Sequence, residues 1–243
     1  MRIYIVLGIL LVLMNFCAEA QPSAQALIVH ISNVTTSYFS PSPDIKSFPY
    51  DTKISFSANR MVNWIVKVQN ANGIFIRQWR IGKTANFELT WNGRGAKENF
   101  IPSGRYTIRV IGIDERGRRA EDSTIITIDN EKPGFSIKPD PYPSYLTDIG
   151  MSPSITFSSK KEVNVEVLAM DETGKRRVYL EPLASANLGR GEKISVEWKM
   201  DALPNGNYNF LIKMTDKVGN YAEYLIPFRV YIINNPNRYL ILP

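Results

Sequence analysis

Cysteine and histidine are nearly absent from this sequence of 243 residues, which contains one of each. A lone cysteine cannot form an intramolecular disulfide, so a buried apolar core must hold the fold together. The only histidine, His30, stands between Val29 and Ile31 in a strand-like pattern, where a histidine is more often structural than catalytic. No Ser/His/Asp set, metal-spaced His/Cys cluster or phosphate-cradling glycine loop is present. We predict no catalytic residues, no cofactor and no metal site, and a hydrolase with paired carboxylates is the least favoured alternative.

Long hydrophobic runs are also missing, with one exception at the amino terminus. Residues 3–16 are almost wholly apolar, Arg2 precedes them, and Ala18-Glu19-Ala20 follows in the small-x-small form of a cleavage site. This pattern predicts a secretory signal peptide and a mature chain that begins at Gln21. The alternatives are an uncleaved membrane anchor and a lipid anchor on Cys17. No later run is long enough to cross a membrane as a helix, which needs about 20 apolar residues.

An amphipathic helical pattern is missing as well, and apolar residues instead recur with a period of two, as in Val62, Trp64, Val66 and Val68. This alternation predicts strands with one buried face, separated by Gly- and Asn-rich turns. The predicted strands are 27–31, 53–57, 63–69, 74–80, 86–91, 104–113, 123–128, 135–137, 154–158, 163–170, 175–180, 193–198, 206–215 and 222–232. Seven short strands per half indicate an all-β fold of two antiparallel β-sandwiches.

A repeated motif supports this duplication. Trp91-Asn92-Gly93, Pro102-Ser103-Gly104-Arg105-Tyr106 and Asp114-Glu115-Arg116-Gly117 are matched by Trp198-Lys199-Met200, Pro204-Asn205-Gly206-Asn207-Tyr208 and Asp216-Lys217-Val218-Gly219. Self-similarity over such a period predicts two copies of one folded unit. We assign a signal peptide to residues 1–20, one sandwich to 21–130 and a second, with the carboxyl-terminal tail, to 131–243. The junction 129–133 is short, polar and closed by proline, which predicts limited bending.

The Pro-x-Gly-x-Tyr motif predicts a tyrosine corner, in which a buried ring returns its hydroxyl to upstream backbone. We therefore assign a structural role to eight residues, with both tryptophans in the core. They are Trp91, Pro102, Gly104, Tyr106, Trp198, Pro204, Gly206 and Tyr208.

A strand ending in Trp, an Asn-Gly turn, Pro-x-Gly-x-Tyr and a final long hairpin resemble the FlgD Ig-like domain family of secreted bacterial proteins. The resemblance implies immunoglobulin-like or fibronectin-III-like sandwiches and export to the periplasm or the outer surface of a bacterium. The first copy carries the fuller match, because the second lacks the Asn-Gly turn. The hook-capping protein itself is exported without a cleaved signal and has a further assembly region, so the resemblance does not extend to its function.

The stretch Phe39-Ser40-Pro41-Ser42-Pro43-Asp44 is similar to an opening motif found before related secreted sandwiches. A calcium loop needs several converging oxygen ligands. Asp44, Asp51 and Asp140 are too sparse for one, so we predict no structural calcium.

Two surface features suggest binding. The chain is basic, with a formal net charge of +6, and Arg105 and Arg109 share the outward phase of one predicted strand. Together with Arg77 and Trp79, they form a candidate surface for an anionic polymer or a sugar, although separate solvated arginines are the more frequent arrangement. The tail, residues 238–243, is apolar and follows an Asn-rich hinge, so it either docks on its own sandwich or pairs with a strand of another chain.

These features favour a non-catalytic structural or interaction module of the cell envelope. A glycan- or anionic-polymer-binding module is the alternative. The expected partner is an envelope protein or a polysaccharide, neither of which the sequence identifies, and no nucleic acid is expected. Gly93-Arg94-Gly95 and Gly189-Arg190-Gly191 are predicted to be turns, because no helix follows to present its amino terminus to a phosphate.

Overall fold

The protein is all-β. The computed structural model describes residues 25–137, 144–147, 153–179, 181–198 and 204–232, and these form fourteen strands and no helix. In chain order the strands are β1 (Val29–Val34), β2 (Tyr38–Phe39), β3 (Thr52–Asn70), β4 (Phe75–Trp91), β5 (Gly104–Ile113), β6 (Arg119–Ile128), β7 (Phe135–Ile137), β8 (Ser144–Thr147), β9 (Ser154–Ser159), β10 (Val163–Asp171), β11 (Ala184–Leu188), β12 (Lys193–Glu197), β13 (Gly206–Asp216) and β14 (Tyr221–Ile232). The predicted signal peptide, Cys17, Asp140 and the tail lie outside the described residues.

Two long, bent strands, β3 and β4, organise the first sandwich. They pair antiparallel along almost their whole length, while β1 and then β5 pair with the opposite edge of β3. The register shifts between Ser57 and Val62, and such a bulge bends a strand and increases its twist. Phe56 and Trp64, on either side of the bend, have ring centroids 6.4 Å apart. One strand therefore contributes to both layers of the sandwich.

The sequence predicts separate strands at 53–57 and 63–69, and again at 74–80 and 86–91. The structure joins each pair into one continuous strand, because the pairing of β3 with β4 resumes at Val62 and keeps the chain extended through the bend. The order in the resulting sheet is β1-β3-β5-β6-β2, with β4 on the other edge of β3.

The second sandwich keeps its layers in separate strands. One sheet has the order β12-β9-β7 and the other β11-β10-β13-β14-β8. The strand predicted at 175–180 is wrong for residues 175–179, which form turns and a single bridge between Met170 and Arg177. Pro182 has no N–H to offer a ladder, and the strand beside β10 begins after it, at β11.

Each sandwich encloses its own aromatic core. In the first, Phe56 stacks on Phe87 with centroids 4.6 Å apart, beside the fully buried Trp64. In the second, Phe210 stacks on Phe228 with the same separation, and Trp198 stands edge-on to both rings. Buried aromatic groups supply the large apolar area that a domain without disulfides needs.

Candidate functional site

The Pro-x-Gly-x-Tyr motifs form the same corner in both sandwiches. The hydroxyl of Tyr106 donates to the carbonyl oxygen of Pro102 at 2.7 Å, and that of Tyr208 donates to Pro204 at 3.0 Å. Burial raises the pKa of both tyrosines. Tyr106 is 3% exposed, whereas Tyr208 is half-buried. Gly104 and Gly206 begin the strands that carry the two tyrosines.

The two motif tryptophans lie in the cores, edge-on to the corner tyrosines. Trp91 and Trp198 are fully buried, and their rings lie 6.1 Å and 5.5 Å from those of Tyr106 and Tyr208. The indole N–H of Trp91 donates to the carbonyl oxygen of Arg94 at 3.0 Å. These contacts connect the end of one strand to the corner that starts the next.

Trp79 does not project into solvent as a stacking platform would. It lies on the edge strand β4 opposite the fully buried Val66, and directly opposed residues of a sheet share one face. The ring is half-buried and packs against the first core, and the guanidinium of Arg77 covers it at 4.9 Å from its centroid. Arg77 also pairs with Glu98 at 2.6 Å.

Arg105 and Arg109 lie on the outer face of β5, as the alternation predicts. Both are exposed, and Arg109 forms a bidentate ion pair with Glu121 on β6. This pairing lowers the pKa of the Glu121 carboxyl and raises that of the Arg109 guanidinium. The structure therefore brings together two of the four proposed surface residues, and places Arg77 and Trp79 on the opposite face of the sheet.

A cluster of charged side chains joins the two sandwiches. The ammonium group of Lys161 donates to both carboxylate oxygens of Asp129, at 2.8 Å and 3.0 Å, and to Asp216 at 3.1 Å. It also donates to the carbonyl oxygen of Glu131. Tyr38 donates its hydroxyl to Asp129 at 2.7 Å from the other side. We call these contacts the joint cluster.

The electrostatics of the joint cluster favour an ionised Asp129. Burial alone would raise the pKa of this carboxyl, but the hydrogen bonds from Lys161 and Tyr38 outweigh it and hold the pKa below its usual value. Burial and the hydrogen bond to Asp129 in turn raise the pKa of Tyr38. Two buried carboxylates thus share one half-buried ammonium group, in a site where charge-assisted hydrogen bonds are stronger than at an open surface.

A segment of the first sandwich also docks on the second. We call residues 38–48 the docking segment. Asp44 accepts a hydrogen bond from the backbone N–H of Tyr221 at 2.9 Å, and the N–H of Ile45 donates to the carbonyl oxygen of Gly219 at 3.1 Å. A Cβ atom added to Gly219 would lie 2.7 Å from the ring of Phe48. Backbone and ring contacts therefore fix the docking segment on the turn between β13 and β14.

The turn that receives the docking segment has a counterpart in the first sandwich. In residues 216–220, Asp216 accepts hydrogen bonds from the N–H groups of Val218 and Asn220, both at 3.0 Å. In residues 114–118, Asp114 accepts from Arg116 at 3.0 Å and from Arg118 at 2.9 Å. The two turns share one hydrogen-bonding pattern, as the sequence repeat indicates.

The cation beside the turn is also repeated. Arg60 holds the position of Lys161 in the repeat. Its guanidinium lies 3.9 Å from Asp114 and donates to the carbonyl oxygen of Gln25 at 2.6 Å, as Lys161 donates to that of Glu131. Arg118 adds a second guanidinium, with its Nε 2.7 Å from Asp114.

The sequence analysis missed the joint cluster. The signal available was the aspartate that opens each repeated turn, together with the Phe39–Asp44 motif, but sequence alone does not tell which turn receives which segment. No group of three or more His, Cys, Asp or Glu side chains suited to a metal ion occurs within the described ranges. No helix in this part of the chain is long and apolar enough to span a membrane.

Comparison with known proteins gives structural similarity only. No family model matches the chain, and no curated protein matches it. The chain is similar to a tetra-tandem repeat from the extending region of a large adhesion protein, with 14% identity and a TM-score of 0.35 over 85% of this chain and 49% of that one. It thus spans about half the length of that structure.

Two further solved structures are similar over different shares of the chain. A 1.5-MDa bacterial ice-binding adhesin gives 9% identity and a TM-score of 0.47 over 86% of this chain and 65% of that chain. FlgD from P. aeruginosa gives 16% identity and a TM-score of 0.29 over 42% of this chain and 71% of that chain. Membership of the FlgD Ig-like family stays a prediction, and no function is transferred from these structures.

Proposed function

We propose that this protein is a non-catalytic structural and interaction module of the bacterial cell envelope or surface. It consists of two immunoglobulin-like units, residues 21–130 and 131–243, that act as one stiff body. The observation that carries the proposal is the joint cluster together with the docking segment. A flexible tether between independent domains needs neither a shared ammonium group nor an aromatic ring seated on the neighbouring turn.

Several separate contacts hold the two sandwiches in one relative orientation. The joint cluster connects Asp129 to Lys161 and Asp216, while Asp44 and Phe48 contact Tyr221 and Gly219 at the same turn. In addition, Asn220 donates to the carbonyl oxygen of Asp129 at 3.1 Å, and Tyr224 ties the junction residue Pro133 to the second sandwich by donating to its carbonyl oxygen at 2.7 Å. A change in the relative orientation of the two sandwiches would have to break or lengthen the contacts that cross between them.

The experiment that tests the proposal measures the relative orientation of the two sandwiches in solution. We expect residual dipolar couplings from both sandwiches of the wild-type chain to fit a single alignment tensor. In the double variant Lys161→Met/Phe48→Ala, two tensors of different magnitude should be needed. The matched control, Lys53→Met/Phe75→Ala, removes a lysine and a phenyl ring from exposed positions of the first sandwich. Two independent tensors in the wild-type chain would reject the stiff module.

Polymer binding is tested separately on the outer face of β5. Purified protein is incubated with peptidoglycan and with an anionic polysaccharide at low and high salt. If Arg105 forms a polymer site, Arg105→Glu should reduce retention far more than Arg190→Glu, which makes the same change of charge at another exposed arginine. Equal effects of the two variants would indicate nonspecific attraction by the net charge alone.

A further inference from the structure

The Asp-x-x-Gly turns of the two sandwiches have the same hydrogen bonds but different surroundings. In the second sandwich, Val218 and Asn220 are each 2% exposed, and Asn220 is in contact with Asp129 of the first sandwich. In the first sandwich, Arg116 and Gly117 are exposed, and Arg118 is half-buried. A Cβ added at Gly117 would meet no atom of the described residues within 4 Å, whereas one at Gly219 would meet Phe48.

We infer that the turn of residues 114–118 is a second docking site, and that it binds an extended acidic segment of a partner protein that carries an aromatic side chain. The occupied turn shows what such a segment does. A carboxylate accepts the N–H that follows the turn, the next residue donates to the glycine carbonyl oxygen, and a ring four residues after the carboxylate packs on the glycine. The corresponding groups of the first sandwich are the N–H of Arg119, the carbonyl oxygen of Gly117 and the Gly117 backbone.

Charge specifies the partner further. At the positions that Lys217, Val218 and Asn220 hold in the second sandwich, the first sandwich has Glu115, Arg116 and Arg118, followed by Arg119. Glu115 is paired with Lys83, and Asp114 is paired with Arg118. The turn therefore carries an excess of guanidinium groups and complements a segment with more carboxylates than the docking segment of this chain.

Exposed apolar side chains flank the same end of the sandwich. Ile28 is 56% exposed and Met61 is 48% exposed. Asn59 connects the two stretches, because the N–H of Ile28 donates to its side-chain oxygen at 3.1 Å and its own N–H donates to the Ile28 carbonyl oxygen at 3.2 Å. In the second sandwich, the repeat puts Gly134 and Glu162 at these positions. An apolar contact beside a cationic one is typical of an interface rather than of a bare chain end.

The test uses the full chain and a synthetic peptide of residues 40–50, which contains Asp44 and Phe48. The peptide is titrated into ¹⁵N-labelled protein to millimolar concentration, and amide shifts are followed. We expect saturable shifts at residues 115–119, and at least a twofold lower dissociation constant for the more acidic peptide Lys46→Glu. The control peptide Asp44→Asn/Phe48→Ala should produce no saturable shift at these residues.

A chain variant provides the matching control. Gly117→Asn places a side chain where the ring would lie, and asparagine tolerates the positive φ of 74° at this position. Peptide-induced shifts should disappear in this variant. Three results would overturn the inference: no saturable shift, shifts that persist in Gly117→Asn, or shifts confined to residues 216–221. The proposed stiff module is tested by domain orientation and stands or fails independently of this titration.

Discussion

The ring of Phe48 lies so close to Gly219 that a Cβ atom at residue 219 would be 2.7 Å from it. These residues belong to different sandwiches, 171 positions apart in the chain. Their contact makes the glycine of one repeated turn part of a joint, whereas no atom of the described chain lies within 4 Å of a Cβ placed on Gly117, in the same turn of the other sandwich.

This difference gives a matched pair of substitutions. Gly117→Ala and Gly219→Ala both place alanine at a positive φ, of 74° and 83°, which costs about 1 kcal/mol. Only Gly219→Ala also overpacks against Phe48, which should add about 1–3 kcal/mol. Chemical denaturation measures both losses. In a Phe48→Ala background the two alanines should cost the same, and a persistent difference would show that Phe48 is not the cause.

Removal of the ammonium group from the joint cluster should be costly. Lys161→Met leaves the buried carboxylates of Asp129 and Asp216 without their shared cation, which should destabilise the protein by about 2–4 kcal/mol. Lys53→Met removes one partner of an exposed pair with Glu88 and should cost less than about 0.5 kcal/mol. Similar losses in the two variants would contradict a structural role for the joint cluster.

Acid should weaken the joint. The pKa of Asp129 is lowered in the folded protein, so its contribution is present above the unfolded-state pKa of about 3.9 and is lost as the pH falls through the lower folded value. Between about pH 5 and pH 2, the amide signal of Tyr221 should move towards its position in Lys161→Met. Asp129→Asn should already show that position at neutral pH and should remove this part of the acid response.

The tyrosine corners should contribute unequally. Tyr106→Phe leaves the Pro102 carbonyl oxygen unpaired beside a buried ring and should cost about 1 kcal/mol or slightly more. Tyr208→Phe should cost less, because that tyrosine is half-buried and water can replace its hydroxyl. Tyr50→Phe is the control, since Tyr50 is 59% exposed. If Tyr106→Phe unfolds at the same denaturant concentration as Tyr50→Phe, the corner bond contributes nothing.

Trp79 should matter for stability rather than for sugar binding. Trp79→Ala removes a ring that packs on the first core and should cost about 2 kcal/mol. Phe75→Ala, at an exposed position of the same strand, should cost much less. Binding to polysaccharide should be the same for Trp79→Ala as for wild type. Selective loss of binding with unchanged stability would restore the stacking hypothesis.

Much of the fold follows from local sequence pattern. The alternation of Val62, Trp64, Val66 and Val68 determines a strand with one buried face, and this follows from the two-residue period of the β-strand alone. The repeated Pro-x-Gly-x-Tyr motif likewise predicts the corner, because its hydrogen bond connects residues only four positions apart. The all-β fold was predictable for this reason.

Contacts between residues that are far apart in the sequence were decided by the tertiary structure. Trp79 faces the core because β3 pairs with β4 in one register, and a shift of one residue would have exposed it. Lys161 meets Asp129 only because the two sandwiches are in contact, and Phe48 reaches Gly219 for the same reason. Each of these contacts joins residues that are close in space and far apart in sequence. The sequence by itself determined the repeated unit, whereas the packing of one unit on the next determined which of the two repeated turns the docking segment covers.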